Sequence, residues 1–149
     1  RYDFTDISPA FLRKAETRFA AYPFVSYQRL DIERPPEDQG FDQGSYDLIV
    51  TADVLHATES ITRTLGRVAD MLAPGGTLLL LEATQALRFG ELTFGLTDGW
   101  WRFADDSYRT AGPLLSTAAW NAALRASGFD AISTFPAGPL SDDAYRDHH

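Results

Sequence analysis

A histidine and a glutamate follow two apolar runs of this 149-residue chain. His56 comes shortly after YDLIVTA, and Glu82 closes TLLLL, 26 residues further along. That separation fits a strand, a crossover helix and a parallel return strand, which would lie about 4.8 Å from the first. A carboxylate beside an imidazole fixes its tautomer and raises its basicity, so the pair could act as a general base. A structural histidine bonded to an acid is the alternative.

Two aspartates follow earlier strands. Asp6 ends YDFTD, and Asp31 follows FVSYQRL. At strand ends of a dinucleotide-binding sheet, such acids hydrogen-bond a ribose diol or lie near an adenine amino group. A helix cap at Asp6 and a plain loop carboxylate at Asp31 are the alternatives. Asp53 and His56 could be drawn as metal ligands, but no third ligand stands at a useful spacing, and no metal site is predicted.

The elements that must position these residues alternate between strands and helices. A helix is predicted to begin at Ser8-Pro9, another to carry Ile61, Leu65, Val68 and Leu72 on one face, and the glycines of APGG to form the turn after it. Strands 46–52 and 77–83 have the apolar runs of the buried parallel type. We expect one α/β domain over 1–149, a doubly wound sheet with helices on both faces. The remaining predicted elements are strands YDFTDIS, 24–32 and FDAISTFP and helix 116–127.

Residues 84–115 lack clear periodicity but are rich in aromatic side chains. We expect an ordered lid in which Phe94, Trp100 and Trp101 wall a substrate tunnel, with packing in the core as the alternative. Arg102 and Arg109 could bind an anionic group or be solvated.

Composition excludes several classes of protein. The net charge of −8 argues against a nucleic-acid surface. The absence of cysteine excludes disulfides, zinc-thiolate sites and a cysteine nucleophile. No apolar segment approaches the roughly 20 residues of a membrane span, and no signal peptide opens the chain, so a cytoplasmic setting is expected.

Five segments in this order resemble the carbon-methyltransferase domain embedded in polyketide synthases, from about Tyr2 to Phe135: YDFTDIS, QGFDQGSYDLIVTADVLHAT, LAPGGTLLLLE, FGLTDGWW and GPLLSTAAWNAALRASGF. The resemblance implies a Rossmann-like class I methyltransferase that uses S-adenosylmethionine. The substrate would be a β-ketoacyl thioester on the phosphopantetheine arm of acyl carrier protein, with other synthase domains as neighbours. His56 and Glu82 match the family's catalytic dyad.

The same resemblance assigns residues to the cofactor. Asp6 matches the residue that holds the ribose hydroxyls, Asp31 matches the adenine side, and Ala52 and Asp53 match the methionine portion. Ile32 is a further expected cofactor-binding residue. The family's opening strand and glycine-rich turn should lie about 20 residues before Asp6, where only five residues precede it, and its final strand is not evident. This chain is therefore expected to be an excerpt of a larger synthase. The alternative is an inactive pseudo-methyltransferase serving as a structural or carrier-docking element.

Overall fold

The computed structural model describes residues 1–85, 88–105, 107–109 and 112–135. Their secondary structure alternates as the sequence predicts, with four strands and four α-helices. The strands are β1 Tyr2–Asp6, β2 Val25–Arg29, β3 Tyr46–Ala52 and β4 Leu72–Leu81. The helices are α1 Pro9–Arg18, α2 Ile61–Met71, α3 Arg88–Thr93 and α4 Thr117–Ala126. Short 3-10 turns cover Glu37–Gln39, Leu55–Ala57, Phe94–Leu96 and Asp98–Trp101.

The strands form two parallel pairs, β1 with β2 and β3 with β4. Asp6 lies opposite Arg29 in the first pair, and Ala52 lies opposite Leu81 in the second. In each pair, one helix connects the two strands, α1 between β1 and β2 and α2 between β3 and β4. Strands joined in this way were predicted to be parallel neighbours, and they are. Among the described residues, no backbone ladder joins β1 to β3.

The Pro-Gly-Gly segment after α2 belongs to β4. Tyr46 pairs with Leu72 whereas Leu48 pairs with Thr77, so the ladder contains an irregularity at this segment. A Cβ on Gly76 would lie 2.9 Å from the Tyr46 carbonyl oxygen, which explains why a glycine is needed there. The predicted bounds of this strand, 77–83, were wrong, because β4 begins at Leu72 directly after α2 and ends at Leu81. Its regular pairing with β3 nevertheless starts at Thr77, after the glycines, as predicted.

The hydrophobic core lies between β4 and the two helices α2 and α4. Leu55 comes from the 3-10 turn after β3, and α2 contributes Ile61 and Leu65. The remaining buried members belong to α4 or to the segment just before it: Leu115, Trp120, Ala123 and Leu124. Leu78 and Leu80 pack against this cluster from the sheet. The alternate residues Leu79 and Leu81 are 57% and 67% exposed. In the described part of the chain, only one face of the β3–β4 strand pair is therefore covered by other residues. The apolar runs had predicted that both faces would be buried.

The helices α2 and α4 both begin at serine caps. The Ser60 hydroxyl oxygen accepts from the Arg63 N–H at 3.4 Å, and Ser116 accepts from the Ala119 N–H at 3.2 Å. Gly128, just beyond α4, has a φ of +90°, which matches the predicted stop. The predicted final strand was wrong over residues 129–135, which are neither helix nor strand. β4 pairs only with β3 in the described chain, so this segment has no ladder to join.

A polar cluster bridges the two strand pairs. The Tyr46 hydroxyl donates to Asp3 Oδ2 at 2.7 Å, and Arg1 and Ser26 also donate to the Asp3 carboxylate. Burial alone would raise the pKa of Asp3, but the hydrogen bonds from Arg1, Ser26 and Tyr46 outweigh it and hold that pKa below its ordinary value. Burial and the bond to Asp3 raise the pKa of Tyr46 to about 12.

Candidate functional site

The carboxyl ends of β3 and β4 bring His56 and Glu82 together. The two strands run parallel and end opposite each other, and the Asp53 N–H continues the ladder by donating to the Leu81 carbonyl at 2.7 Å. Glu82 is the next residue after β4. On the other strand, the backbone turns through Leu55–Ala57, which carries the imidazole back over the strand end. The crossover topology thus produces the contact that the spacing predicts.

The imidazole and the carboxylate form a direct hydrogen bond. His56 Nδ1 lies 2.7 Å from Glu82 Oε2. The other oxygen, Oε1, accepts from the backbone N–H groups of Val54 at 3.1 Å and Leu55 at 2.8 Å. The Glu82 side chain is only 2% exposed, and that of His56 is 13% exposed. When this carboxylate is ionised, it accepts a hydrogen bond from the Nδ1–H group of a neutral imidazole. The lone pair of the imidazole is then on Nε2.

Asp53 is the third charged group at this strand end. Its φ of +55° lies in the left-handed region, where few residues other than glycine occur, and its carboxylate accepts from the Ala83 N–H at 3.2 Å. Asp53 Oδ1 lies 3.8 Å from His56 Nδ1, and its side chain is 66% exposed. Local backbone strain of this kind is common at functional sites.

These three side chains place ligand-type atoms within 4.8 Å of one another. The sequence reasoning that no third metal ligand accompanies Asp53 and His56 was wrong, because the return strand supplies Glu82. However, both oxygens of Glu82 already accept hydrogen bonds from protein N–H groups. The arrangement therefore suits proton transfer better than metal binding.

A cavity of about 520 Å³ opens beside the dyad. Asp53 and His56 line one side, and the lid supplies Phe94 and Trp100 on the other. The Phe94 and Trp100 rings are stacked with centroids 5.8 Å apart, and Trp100 meets the His56 ring edge-on at 6.5 Å. These aromatic side chains make an apolar wall against the base. Trp101 does not line this cavity; its indole N–H donates to the Gly95 carbonyl at 2.9 Å.

The lid brings three further polar residues to this cavity, of which only Arg102 was a candidate from the sequence. Gln85 and Thr97 line the same cavity, and so does Arg102. Arg102 Nη2 is 3.4 Å from Glu33 Oε2, and the arginine side chain is 63% exposed. No periodicity or motif marks Gln85, because its placement depends on how the lid folds over the strand ends. Thr97 lies in the FGLTDGWW segment, but its residue type alone did not mark it as a cavity residue.

The other predicted site residues lie at the ends of β1 and β2. Asp6 Oδ1 accepts from the Ser8 N–H at 2.7 Å, the cap-type contact that was the alternative to ribose binding. Asp31 Oδ1 accepts from the Glu33 N–H at 3.0 Å, and the Ile32 carbonyl accepts from Arg67 Nη1 at 3.0 Å. None of these three residues lines the cavity beside His56. Ala52, the last residue of β3, is exposed and adjoins Asp53.

Comparison with known proteins identifies relatives along the chain. A family model described as a methyltransferase domain matches residues 1–78. The squalestatin tetraketide synthase of Phoma sp. (strain C2932) is 42% identical over 146 residues, which cover 97% of this chain and 6% of the synthase. Polyketide synthase ThaQ of Burkholderia thailandensis is 45% identical over 138 residues, 91% of this chain and 7% of that protein. The chain thus spans a small fraction of these relatives' length.

Solved structures give the same result in three dimensions. The CurJ carbon methyltransferase superposes with a TM-score of 0.83 at 48% identity, over 86% of this chain and 34% of that one. The trans-methyltransferase CalH, crystallised in complex with SAH, superposes with a TM-score of 0.80 at 39% identity, over 85% of this chain and 35% of that one.

The strand order, the site and the family match define the class of this protein. The chain belongs to the methyltransferase domain family, and its fold is the mixed α/β fold of class I methyltransferases. The predicted resemblance to the carbon-methyltransferase domains of polyketide synthases is confirmed, since both the synthases and the solved domains match along nearly the whole chain. In the described residues, no helix is long and apolar enough to cross a membrane.

Proposed function

We propose that this chain catalyses S-adenosylmethionine-dependent methylation of the carbon between the ketone and the thioester of a β-ketoacyl chain. The single observation that carries the proposal is the His56–Glu82 hydrogen bond of 2.7 Å on the wall of a cavity lined with aromatic side chains. A carbon flanked by two carbonyl groups is acidic enough for an imidazole to deprotonate, whereas an unactivated carbon is not.

His56 acts as the general base. With its Nδ1 proton held by Glu82, the imidazole takes the substrate proton on Nε2, and the electron pair left behind is delocalised as an enolate onto the flanking carbonyl oxygens. The buried Glu82 carboxylate stabilises the imidazolium that forms. S-adenosylmethionine, when bound, would supply the electrophilic methyl group, and the electron pair of the broken methyl–sulfur bond would remain on its sulfur, which leaves as a neutral thioether. The imidazolium then returns its extra proton to solvent.

The residues at the strand ends have the chemistry that this cofactor requires. Asp6 and Asp31 are carboxylates following two neighbouring parallel strands, where a ribose diol and an adenine would find acceptors. Ile32 would lie along the adenine. Ala52 and Asp53 would hold the methionine portion, since Ala52 leaves room and the Asp53 carboxylate attracts its ammonium group.

The substrate partner in this proposal is acyl carrier protein. The phosphopantetheine arm would bring the β-ketoacyl thioester to the cavity beside His56, where Phe94 and Trp100 would exclude water from the enolate. The chain would be one domain of a larger synthase, with the other synthase domains as neighbours. The small share of each relative that it spans supports this organisation.

Methyl transfer to a β-ketoacyl pantetheine thioester tests the proposal. We expect His56→Ala to reduce the methylation rate by roughly 10²- to 10⁴-fold, the usual contribution of a general base. Calorimetry should give the same S-adenosylmethionine affinity for this variant as for the wild type, since His56 acts on the substrate. Arg125→Ala, a change at an exposed position of α4, is the control.

The assay is best run on the 149-residue chain and on the same chain extended upstream. If the extended protein binds no S-adenosylmethionine, the enzyme proposal fails, and carrier docking without cofactor becomes the better account. Full activity in His56→Ala would refute the assignment of the base.

A further inference from the structure

Arg109 is an arginine without solvent contact that the dyad itself does not use. Its side chain is 0% exposed, which is a costly position for a cation unless every donor is matched. The expectation of a solvated side chain was wrong for Arg109, and the anionic group that its guanidinium contacts is the Asp105 carboxylate of the same chain. Its guanidinium is occupied by the protein, and the positions of its partners indicate what it does.

All three nitrogens of the guanidinium contact acceptors in the segment that carries His56 or in the lid. Nη1 donates to the His56 carbonyl at 2.9 Å and to the Thr58 carbonyl at 2.8 Å, and Nη2 donates to the Glu59 carbonyl at 2.8 Å. Nε donates to Asp105 Oδ1, and Nη2 lies against the same oxygen. One side chain thereby fixes three carbonyls within four residues.

Asp105 completes the arrangement from the opposite side. Its second oxygen, Oδ2, accepts from the Ile61 N–H, the first of α2, at 2.6 Å. The Phe103 ring lies under the guanidinium with its centroid 5.2 Å from Cζ, and the Ala104 N–H donates to the Glu59 carbonyl at 2.9 Å. Both ends of the segment from His56 to Ile61 are therefore tied to the C-terminal part of the lid, His56 by Arg109 and Ile61 by Asp105.

We propose that Arg109, held by Asp105, is a positioning residue that orients the His56 base and couples it to the lid. His56 is fixed at two points, its ring by Glu82 and its carbonyl by Arg109, so that the direction of Nε2 is set by both. Guanidinium is suited to this role because its planar fork reaches several carbonyls at once, whereas an ammonium group lacks that geometry. The inference rests on the proposed function of His56.

Arg109→Lys tests this role, since it preserves the charge and removes the fork. We expect kcat for methyl transfer to fall about 10- to 100-fold, as a small misplacement of a catalytic group does, while KM and the affinity for S-adenosylmethionine stay unchanged. ¹⁵N spectra of the His56 ring should show loss of the single Nδ1-protonated tautomer. Added guanidinium ion should partly restore kcat in Arg109→Ala. Arg125→Lys, the same change at an exposed site on α4, is the control.

A folded Arg109→Lys protein with wild-type kcat and an unaltered His56 tautomer would overturn the inference. If Arg109→Lys does not fold, Asp105→Asn provides the test, with the same expected fall in kcat and the same spectral change. If neither variant folds, or if stability falls while kcat of the folded fraction is unchanged, the role is only structural and the inference fails. Loss of methyl transfer caused by lost S-adenosylmethionine binding in these variants would also overturn the inference, since Arg109 would then act on the cofactor rather than on His56. Failure of the wild type itself to bind S-adenosylmethionine would instead count against the proposed function.

Discussion

At the scale of single residues, Glu82 determines which nitrogen of His56 carries the proton. Its Oε1 is committed to the N–H groups of Val54 and Leu55, so only Oε2 faces the imidazole. Since an ionised carboxylate can only accept, a neutral imidazole donates to it from Nδ1 and keeps its free lone pair on Nε2. The chemistry proposed for His56 therefore depends on the charge of a buried neighbour as much as on the imidazole.

Glu82→Gln should reverse this tautomer without changing the shape of the site. The amide oxygen would replace Oε1 as acceptor for the two backbone N–H groups, which turns the amide NH₂ toward Nδ1. The imidazole would then carry its proton on Nε2, where it cannot act as a base. We expect kcat to fall roughly 10²- to 10⁴-fold. Kinetics and ¹⁵N spectra of His56 check this, with Glu59→Gln, whose side chain is 51% exposed, as the control. Wild-type kcat with an Nε2-protonated ring would contradict the mechanism.

At the scale of elements, the lid and the strand ends form one cavity between them. Trp100 lies between Phe94 and the dyad, whereas its neighbour Trp101 is turned away and is 56% exposed. The sequence predicted that both tryptophans line the substrate tunnel. Since only Trp100 lines the cavity, the effects of replacing the two residues can be compared directly.

Trp100→Ala should therefore impair the reaction more than Trp101→Ala. Removal of the Trp100 ring deprives the substrate of an apolar contact and admits water beside His56, so we expect kcat/KM to fall about 10-fold or more. Trp101→Ala should leave kcat/KM nearly unchanged. Steady-state kinetics of the two purified variants measure this difference. Equal losses in both, with unchanged melting temperatures, would show that the cavity wall is assigned wrongly.

The elements that the sequence predicted correctly are those with strong local signals. Ser116 and Gly128 bracket α4, and the YDLIVTA run forms β3 with the predicted bounds, because caps and apolar runs act locally. His56 and Glu82 were predictable since a crossover connection fixes which strands are neighbours. The convergence of Arg109 on the His56 segment was not predictable, since it depends on a partner 53 positions away and on an irregular lid.

At the scale of the whole molecule, the two strand pairs of the described chain are joined by hydrogen bonds that involve side chains rather than by a backbone ladder. The Tyr46–Asp3 hydrogen bond links β3 to β1 at one end, and the Glu59 N–H donates to Glu33 Oε1 at 2.7 Å near the other. These links relate the strands bearing Asp6 and Asp31 to the strands bearing the dyad. Their loss should therefore loosen the relation between the proposed cofactor residues and the base.

Tyr46→Phe should reduce the free energy of unfolding by roughly 1–2 kcal/mol at neutral pH, since it removes a hydrogen bond to a charged group. The lowered pKa of Asp3 gives stability that is present above its ordinary pKa of 3.8 and is lost as the pH falls through the folded value. The raised pKa of Tyr46 gives stability that is present below 10.0 and is lost as the pH rises toward about 12.

Urea denaturation from about pH 3 to about pH 9 measures the effect of Asp3. The difference between wild type and Tyr46→Phe should be constant from about pH 5 to about pH 9 and should narrow below about pH 4, where Asp3 gains a proton. Tyr22→Phe, at an exposed tyrosine, should show no such difference. A gap that widens in acid would contradict the pKa direction given for Asp3.

The central claim is that His56 removes a proton from the carbon between two carbonyl groups, and α-proton exchange tests it without methyl transfer. A β-ketoacyl pantetheine thioester is incubated in D₂O with the protein and no S-adenosylmethionine, at a pH where exchange in buffer is slow, and deuterium incorporation at that carbon is followed by NMR. We predict that the wild-type chain accelerates exchange and that His56→Ala exchanges no faster than buffer. Equal acceleration by the wild type and His56→Ala would contradict the account.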